Sequence, residues 1–251
     1  MDILIILIAL AFLMFIAYRG FSVIIFAPIA ALLAVFLTNP ANILPFFSGI
    51  FMEKMVGFIK LYFPVFLLGA IFGKMIELSG FAKSITVAVV KLLGKSKVMI
   101  TVVVVGAILT YGGVSLFVVA FALYPFAAEL FRSADIPKRL IPATIALGAF
   151  TFTMDAFPGS PQIQNIIPTT FFKTDTWAAP WLGFIGGMFL FIAGSLYLEW
   201  RRRVALKNGE GYGENHLNEP QVDLNEKYPN ALIAILPLLV VGFLNKLFTR
   251  T

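Results

Sequence analysis

Apolar runs broken by short polar stops organise this chain. The first run covers about residues 3–18 and the second about 21–37, with Arg19-Gly20 as the turn between them. Thr38-Asn39-Pro40 ends the second, because proline cannot continue a helix and restricts the residue before it. Residues 41–56 are mixed, carry Glu53 and Lys54, and predict an interfacial stretch. A third run, about 57–72, leads through Lys74, Glu77 and Gly80 into residues 81–93. There Lys83 and Lys91 sit on an otherwise apolar helix, the pattern of an amphipathic helix at a membrane surface. A fifth run is predicted over about 140–154, a weaker piece over 163–172, a sixth over 179–198 and a last over 231–248.

Between these lies the apolar region 98–128, interrupted by Thr110-Tyr111-Gly112-Gly113. Each arm has about 15 residues and reaches only ~20 Å at ~1.5 Å per residue, short of a hydrocarbon core of ~30 Å. The arms therefore form either one overlong tilted helix or a re-entrant hairpin. The basic residues favour the hairpin. A single crossing puts nine Lys and Arg on the side of Arg19 and ten on the other. A hairpin that returns to its own side gives fourteen and five, the bias expected across a membrane. The larger group includes Lys95, Lys97 and Arg201-Arg202-Arg203, read as topology determinants, and it places the Arg19 side in the cytoplasm.

Composition agrees with this pattern. Hydrophobic residues make up 60% of the 251 and charged residues 13%, about half the charge of a soluble domain; the mean hydropathy is +0.93. The net charge of +6 resides in short loops, so nucleic acid is not implied. The absence of cysteine excludes disulfides and thiolate metal sites. Met1-Asp2 lacks a basic n-region and a second apolar run follows at once, so the first helix is expected to be retained. The expected organisation is a membrane domain over 1–200, a cytoplasmic polar linker over 201–228 in which His216 is a bystander, and a further helix over 229–251. Glu77 beside Lys74 and Glu129 beside Arg132 read as interfacial ion pairs.

Broken helices in lipid are costly unless the freed backbone is buried in protein or lines a cavity, and paired interruptions are the best pointer to a transporter's binding site. The first break, at Tyr111, Gly112, Gly113 and Ser115, permits a tight turn and starts a new helix whose N-terminus suits a carboxylate. The second runs from Thr151 to Asn165 and holds Pro158-Gly159-Ser160-Pro161-Gln162. Gly159, Ser160, Gln162 and Asn165 are the expected substrate contacts; Asp155 and Thr153 are the candidates for a coupling proton or sodium ion. No cofactor or bound metal is expected, and no Walker loop, HExxH or nucleophile elbow occurs, which argues against an enzyme.

The order of these pieces resembles the gluconate permease family, within the broader superfamily of organic-anion ion transporters. The resemblance covers roughly residues 55–200 and rests on Gly69 to Gly80, on the break at 110–115 and on Pro158-Gly159-Ser160-Pro161. The last resembles the His-Pro-Gly-Pro stretch of gluconate carriers, but Phe157 stands in the place of the histidine and Ser160 separates Gly159 from Pro161. The resemblance implies an all-α polytopic bundle in which a re-entrant hairpin and a broken helix form one half of an inverted-repeat transporter. It implies uptake of a small carboxylate (a sugar acid, hydroxy acid or dicarboxylate) in the inner membrane. Family members are usually longer, so a second half on a separate chain, or a second copy of this one, is an expected partner beside the membrane lipids. The rival readings are a passive channel and a membrane subunit that transports nothing.

Overall fold

The computed structural model describes residues 2–93, 97–213 and 228–248. Lys95, His216 and half of the expected linker, residues 214–227, lie outside the described residues. Every described regular element is helical. The chain divides into two compact units, Met1–Pro64 and Val65–Thr251, and the division falls inside one long helix.

In the first unit α1 (Asp2–Tyr18) and α2 (Val23–Thr38) pack as an antiparallel pair. Gly20, at φ +80°, makes the turn. Asn39 ends α2, and its side-chain oxygen accepts from the Ala41 amide at 3.1 Å, which starts the next helix. From there the chain stays helical through α3 (Ile43–Phe46), a single π turn (Phe47–Phe51) and α4 (Met52–Leu78). The stretch expected to lie at the interface is thus the start of one continuous helix, Pro40–Leu78. The helix also runs past residue 72, because Lys74 pairs with Glu77 one turn on at 3.0 Å and it stops only at Gly80, φ +73°.

The second unit is built around α6 (Val98–Tyr111). Val102, Val105 and Leu109 on it are fully buried, and the helix is apolar on all sides because protein surrounds it. It packs against α5 (Phe81–Leu93), α7 (Leu116–Ser133) and α8 (Ile141–Ala149). α6 and α7 form the hairpin that the charge count favoured, joined by residues 112–115. α5, the amphipathic helix, buries Ala82, Ser84, Ile85 and Thr86 and packs on α6, α7 and α12 (Ala231–Phe248). α11 (Pro180–Lys207) also outruns its expected end at residue 198, since Glu199 pairs with Arg202 and Arg203 at i+3 and i+4 and keeps the basic run helical. Beyond it, Glu210 pairs with Arg139 and the Tyr212 amide donates to Asp135 at 2.8 Å, so the chain docks back on the α7–α8 connection.

Small residues set the closest contacts. A Cβ on Gly148 of α8 would overlap the Val103 carbonyl oxygen of α6, and one on Gly106 would lie 3.5 Å from the Ala149 amide. On α11, Gly183 and Gly187 share a face and receive Ala156 and the Phe157 ring. Gly148→Val is therefore expected to lower the thermal midpoint of the detergent-purified protein or abolish folded yield, a loss of about 2 kcal/mol or more. Gly69→Val, where nothing lies within 4 Å, should leave both unchanged.

Candidate ligand site at two helix breaks

The break after α8 starts earlier than the sequence suggested. The run expected to reach Met154 ends at Ala149, followed by the single turn α9 (Phe152–Asp155) and then α10 (Ile163–Phe172). Two threonines make the early stop affordable. The Thr151 hydroxyl donates to the Leu147 carbonyl at 2.6 Å and the Thr153 hydroxyl to that of Gly148 at 2.7 Å. Carbonyls released by the helix end are thus satisfied within the protein.

Gln162 joins the two breaks. Its side-chain Nε2 donates to the Thr110 carbonyl at 2.7 Å and to the Val114 carbonyl at 3.1 Å, and the residue is 7% exposed. Tyr111 Oη donates to the Pro158 carbonyl at 2.7 Å from the other direction. Gly113, at φ +93°, lies against Pro161, with 3.4 Å between an ideal Cβ and the ring. Ser115 is the N-cap of α7 and Gln162 that of α10; neither gives a side-chain capping bond. The open first turns of two helices therefore begin side by side. Each carries a partial positive charge, and two such ends repel unless negative charge lies near them.

The structure assigns most of the expected ligand donors to the backbone. Ser160 is fully buried and its hydroxyl donates to the Thr153 carbonyl at 2.6 Å. Asn165 Nδ2 donates to the carbonyls of Ser160 and Thr176 at 2.9 and 3.0 Å. Gly159, at φ +77°, donates its amide to Thr176 and packs under Trp177. Tyr111, Gly112, Gly113, Ser115, Gly159, Ser160, Gln162 and Asn165 thus come together around one junction, but four of their side chains act as clips. Thr153 and Asp155 are not brought together: Thr153 is buried and turned to Gly148, whereas Asp155 is exposed.

Several residues at the junction were not anticipated. Thr110 is fully buried and its hydroxyl has no hydrogen-bond partner among the described residues, nor has the Gln164 side-chain carbonyl. An orphaned buried polar atom costs about 1–3 kcal/mol, so these two mark unused bonding capacity. α12 is also part of the junction. Leu238 fills the space beside Gly112 and Val241 that beside Gly113, while Asn245 donates to the Gly159 carbonyl at 2.8 Å and accepts from Thr176 at 3.2 Å. Lys246 stands 3.8 Å from the centre of the Trp177 ring. Asn245 was legible as the one amide near the end of an apolar run; Gly73, whose ideal Cβ lies 3.4 Å from the Ser115 amide, carried no signal beyond being glycine.

The sequence model of one family, described as GntP family permease, matches residues 1–246. The chain belongs to the GntP permease family. It is 61% identical over 257 residues to a Bacillus subtilis (strain 168) protein named uncharacterized transporter YxjC, covering 99% of this chain and 54% of that protein. The chain thus spans about half the length of the curated relative it matches. No solved structure matches it. Family membership agrees with the three helices, among the described residues, that are long and apolar enough to cross a bilayer, Pro40–Leu78, Pro180–Lys207 and Ala231–Phe248, and with shorter apolar helices. This GntP-family chain is a multi-pass membrane protein.

Replacing Gln162 by leucine removes both bonds to the first break and leaves a buried carbonyl under-satisfied. Gln162→Leu is expected to destabilise the purified protein by about 1–3 kcal/mol, read as a lowered thermal midpoint. The exposed Asp155→Asn should not move it.

Proposed function

We propose that this chain carries one half of the site of a secondary transporter for a small organic anion, coupled to protons or sodium. The observation that carries the reading is the pair of uncapped helix N-termini at Ser115 and Gln162, locked together by Gln162. A carboxylate between them neutralises two dipole ends at once. Family membership supports transport, and the name of the Bacillus relative agrees with it. Nothing in this reading converts the ligand chemically; alternating access moves the protein around a fixed junction. In the two-halves reading, residues 1–200 hold the first repeat, residues 201–228 a cytoplasmic linker and α12 opens the second. The remaining repeat then belongs to the part of the relative's length that this chain does not span. Among coupling candidates, the buried Thr153 and the orphaned Thr110 hydroxyl suit an ion at the junction better than the exposed Asp155 does.

The test is counterflow in proteoliposomes holding the full-length protein, with labelled sugar acids, hydroxy acids and dicarboxylates. Saturable exchange of at least one, with net uptake that requires a proton or sodium gradient, is the expected result. Unsaturable flux points to a channel and removes the proposal, as does the absence of any flux. Thr110→Val keeps the side-chain shape and removes the orphaned hydroxyl. It should raise the half-saturation concentration about tenfold, ~1.4 kcal/mol, without lowering the thermal midpoint. An unchanged half-saturation would exclude Thr110 from the site.

The fourteen-to-five distribution of Lys and Arg supports a cytoplasmic location for the Arg19 side. Asn208→Cys, in a chain with no other cysteine, should react with an impermeant maleimide in inside-out vesicles and not in intact cells. The reverse result would invert the topology.

A further inference from the structure

A well-formed cavity of the second unit lies away from the breaks. It lies at the opposite end of α6, ~20 Å along that 14-residue helix from Gly112. Its volume is about 430 Å³, within the range of small-molecule sites. Three pieces of chain enclose it: the first turn of α6, the connection after α7 at Ala134–Ile136, and the end of α11 from Ser195 to Arg203. The sequence kept the basic residues at 97 and at 201–203 apart, as two topology signals. The fold brings Lys97, Arg202 and Arg203 around one space.

The charges there do not cancel. Among the described residues Glu199 is the one carboxylate in the lining; it receives Arg202 through two bonds of 2.7 and 2.8 Å and the Nε of Arg203 at 2.9 Å. Among the described lining residues, three cations against one carboxylate leave two positive charges in excess. Lys97 has no charged partner among the described residues, and Arg203, with a side chain 70% exposed, keeps its terminal nitrogens for another ligand. Lys97 is also the N-cap of α6, and its side chain makes no capping bond there. The Ser195 hydroxyl oxygen lines the cavity, buried and without a hydrogen-bond partner among the described residues. Below this polar rim the floor is apolar: Val98, Val103, Ile136 and Leu198 are each 4% exposed or less.

A rim of cations and a free hydroxyl above an apolar floor fits a phosphate ester attached to something greasy. The flanks give the depth. Tyr197 and Trp200, on the same helix end, are more than half exposed and stand 5.7 Å apart, with the Arg201 guanidinium 5.8 Å from the Trp200 ring. Exposed Tyr, Trp and Arg at the end of a spanning helix mark headgroup level. Exposed Leu196 and Ile100 continue the surface toward the bilayer interior. We infer that this cavity is a binding site for the headgroup of an acidic phospholipid, its phosphate held by Lys97 and Arg203, its acyl chains lying along α11. Basic pockets between helices on the cytoplasmic side are where such headgroups are held. The inference does not depend on what the two breaks transport.

Native mass spectrometry of the detergent-purified protein tests it, with phosphatidylglycerol and phosphatidylcholine titrated separately. One phosphatidylglycerol per chain should be retained, at least fivefold in preference to phosphatidylcholine. Lys97→Ala with Arg203→Ala should abolish the preference, whereas Lys97→Arg with Arg203→Lys, which keeps both charges, should preserve it. Both positions are exposed, so folding is expected to survive; should the double alanine variant fail to fold, Arg203→Gln alone must still reduce the preference at least threefold. Equal retention of the two lipids overturns the inference, as does preference that persists in the alanine variants. Displacement of the lipid by millimolar glycerol 3-phosphate, with the same dependence on Lys97 and Arg203, would assign the cavity to a soluble phosphate ester and overturn the lipid assignment.

Discussion

A backbone carbonyl surrounded by apolar protein and lipid has to find a donor, and Gln162 supplies one to each side of the first break. Helices that stop in mid-bundle expose carbonyls at their ends and amides at their starts. In this protein the carbonyl half of that problem is solved by side chains: Gln162, Tyr111, Ser160, Asn165, Asn245 and the threonines at 151 and 153 all donate to main-chain oxygens. The amide half is left open, at Ser115 and Gln162, where no side chain caps the new helix. That asymmetry gives the junction its polarity. Main-chain acceptors are consumed and main-chain donors remain, which is the arrangement an anion needs.

Packing holds the junction in register. Gly187 makes room for the Phe157 ring on α11, and Gly183 for Ala156 before it; the ring touches Phe152, Phe184 and Tyr111 at centroid distances of 5.1–6.2 Å. The residue that departs from the gluconate-carrier pattern is thus an aromatic anchor, and a histidine there would face three rings in place of a polar ligand. α12 closes the other flank, with Leu238 filling the notch that only glycine leaves at position 112 and Asn245 tying Gly159 to Thr176. A helix expected to open a separate repeat therefore contributes to this junction directly.

Much of this was legible in the chain. The hairpin at 110–115 and the broken helix around Pro158 followed from arm length, glycine and proline placement and charge bias. What was hidden depended on partners distant in sequence. The break begins at Phe150 because threonine hydroxyls reach back to Leu147 and Gly148, and hydroxyl bonds of that kind leave no periodic signature. Gln162 and Asn165 were recognisable as polar groups too numerous for a buried loop, but the direction of their donors, toward main chain, emerges only when α6 and α10 meet. The basic residues at 97 and 201–203 read as one-dimensional signals of topology, while folding places them around a common cavity. Glu199 explains why α11 passes straight through the arginine run.

The absence of cysteine permits a covalent measurement of the junction in native membranes. Gly113→Cys with Pro161→Cys places two thiols where an ideal Cβ on residue 113 lies 3.4 Å from Cγ of Pro161, one bond from that residue's own Cβ and so near the ~3.5–4.5 Å Cβ separation a disulfide takes. After mild oxidation, maleimide labelling in denaturant should be lost at both positions and return on reduction, with each single-cysteine protein labelled throughout. Two thiols that stay reactive after oxidation would mean that the breaks do not meet, and the shared anion site would have no structural basis.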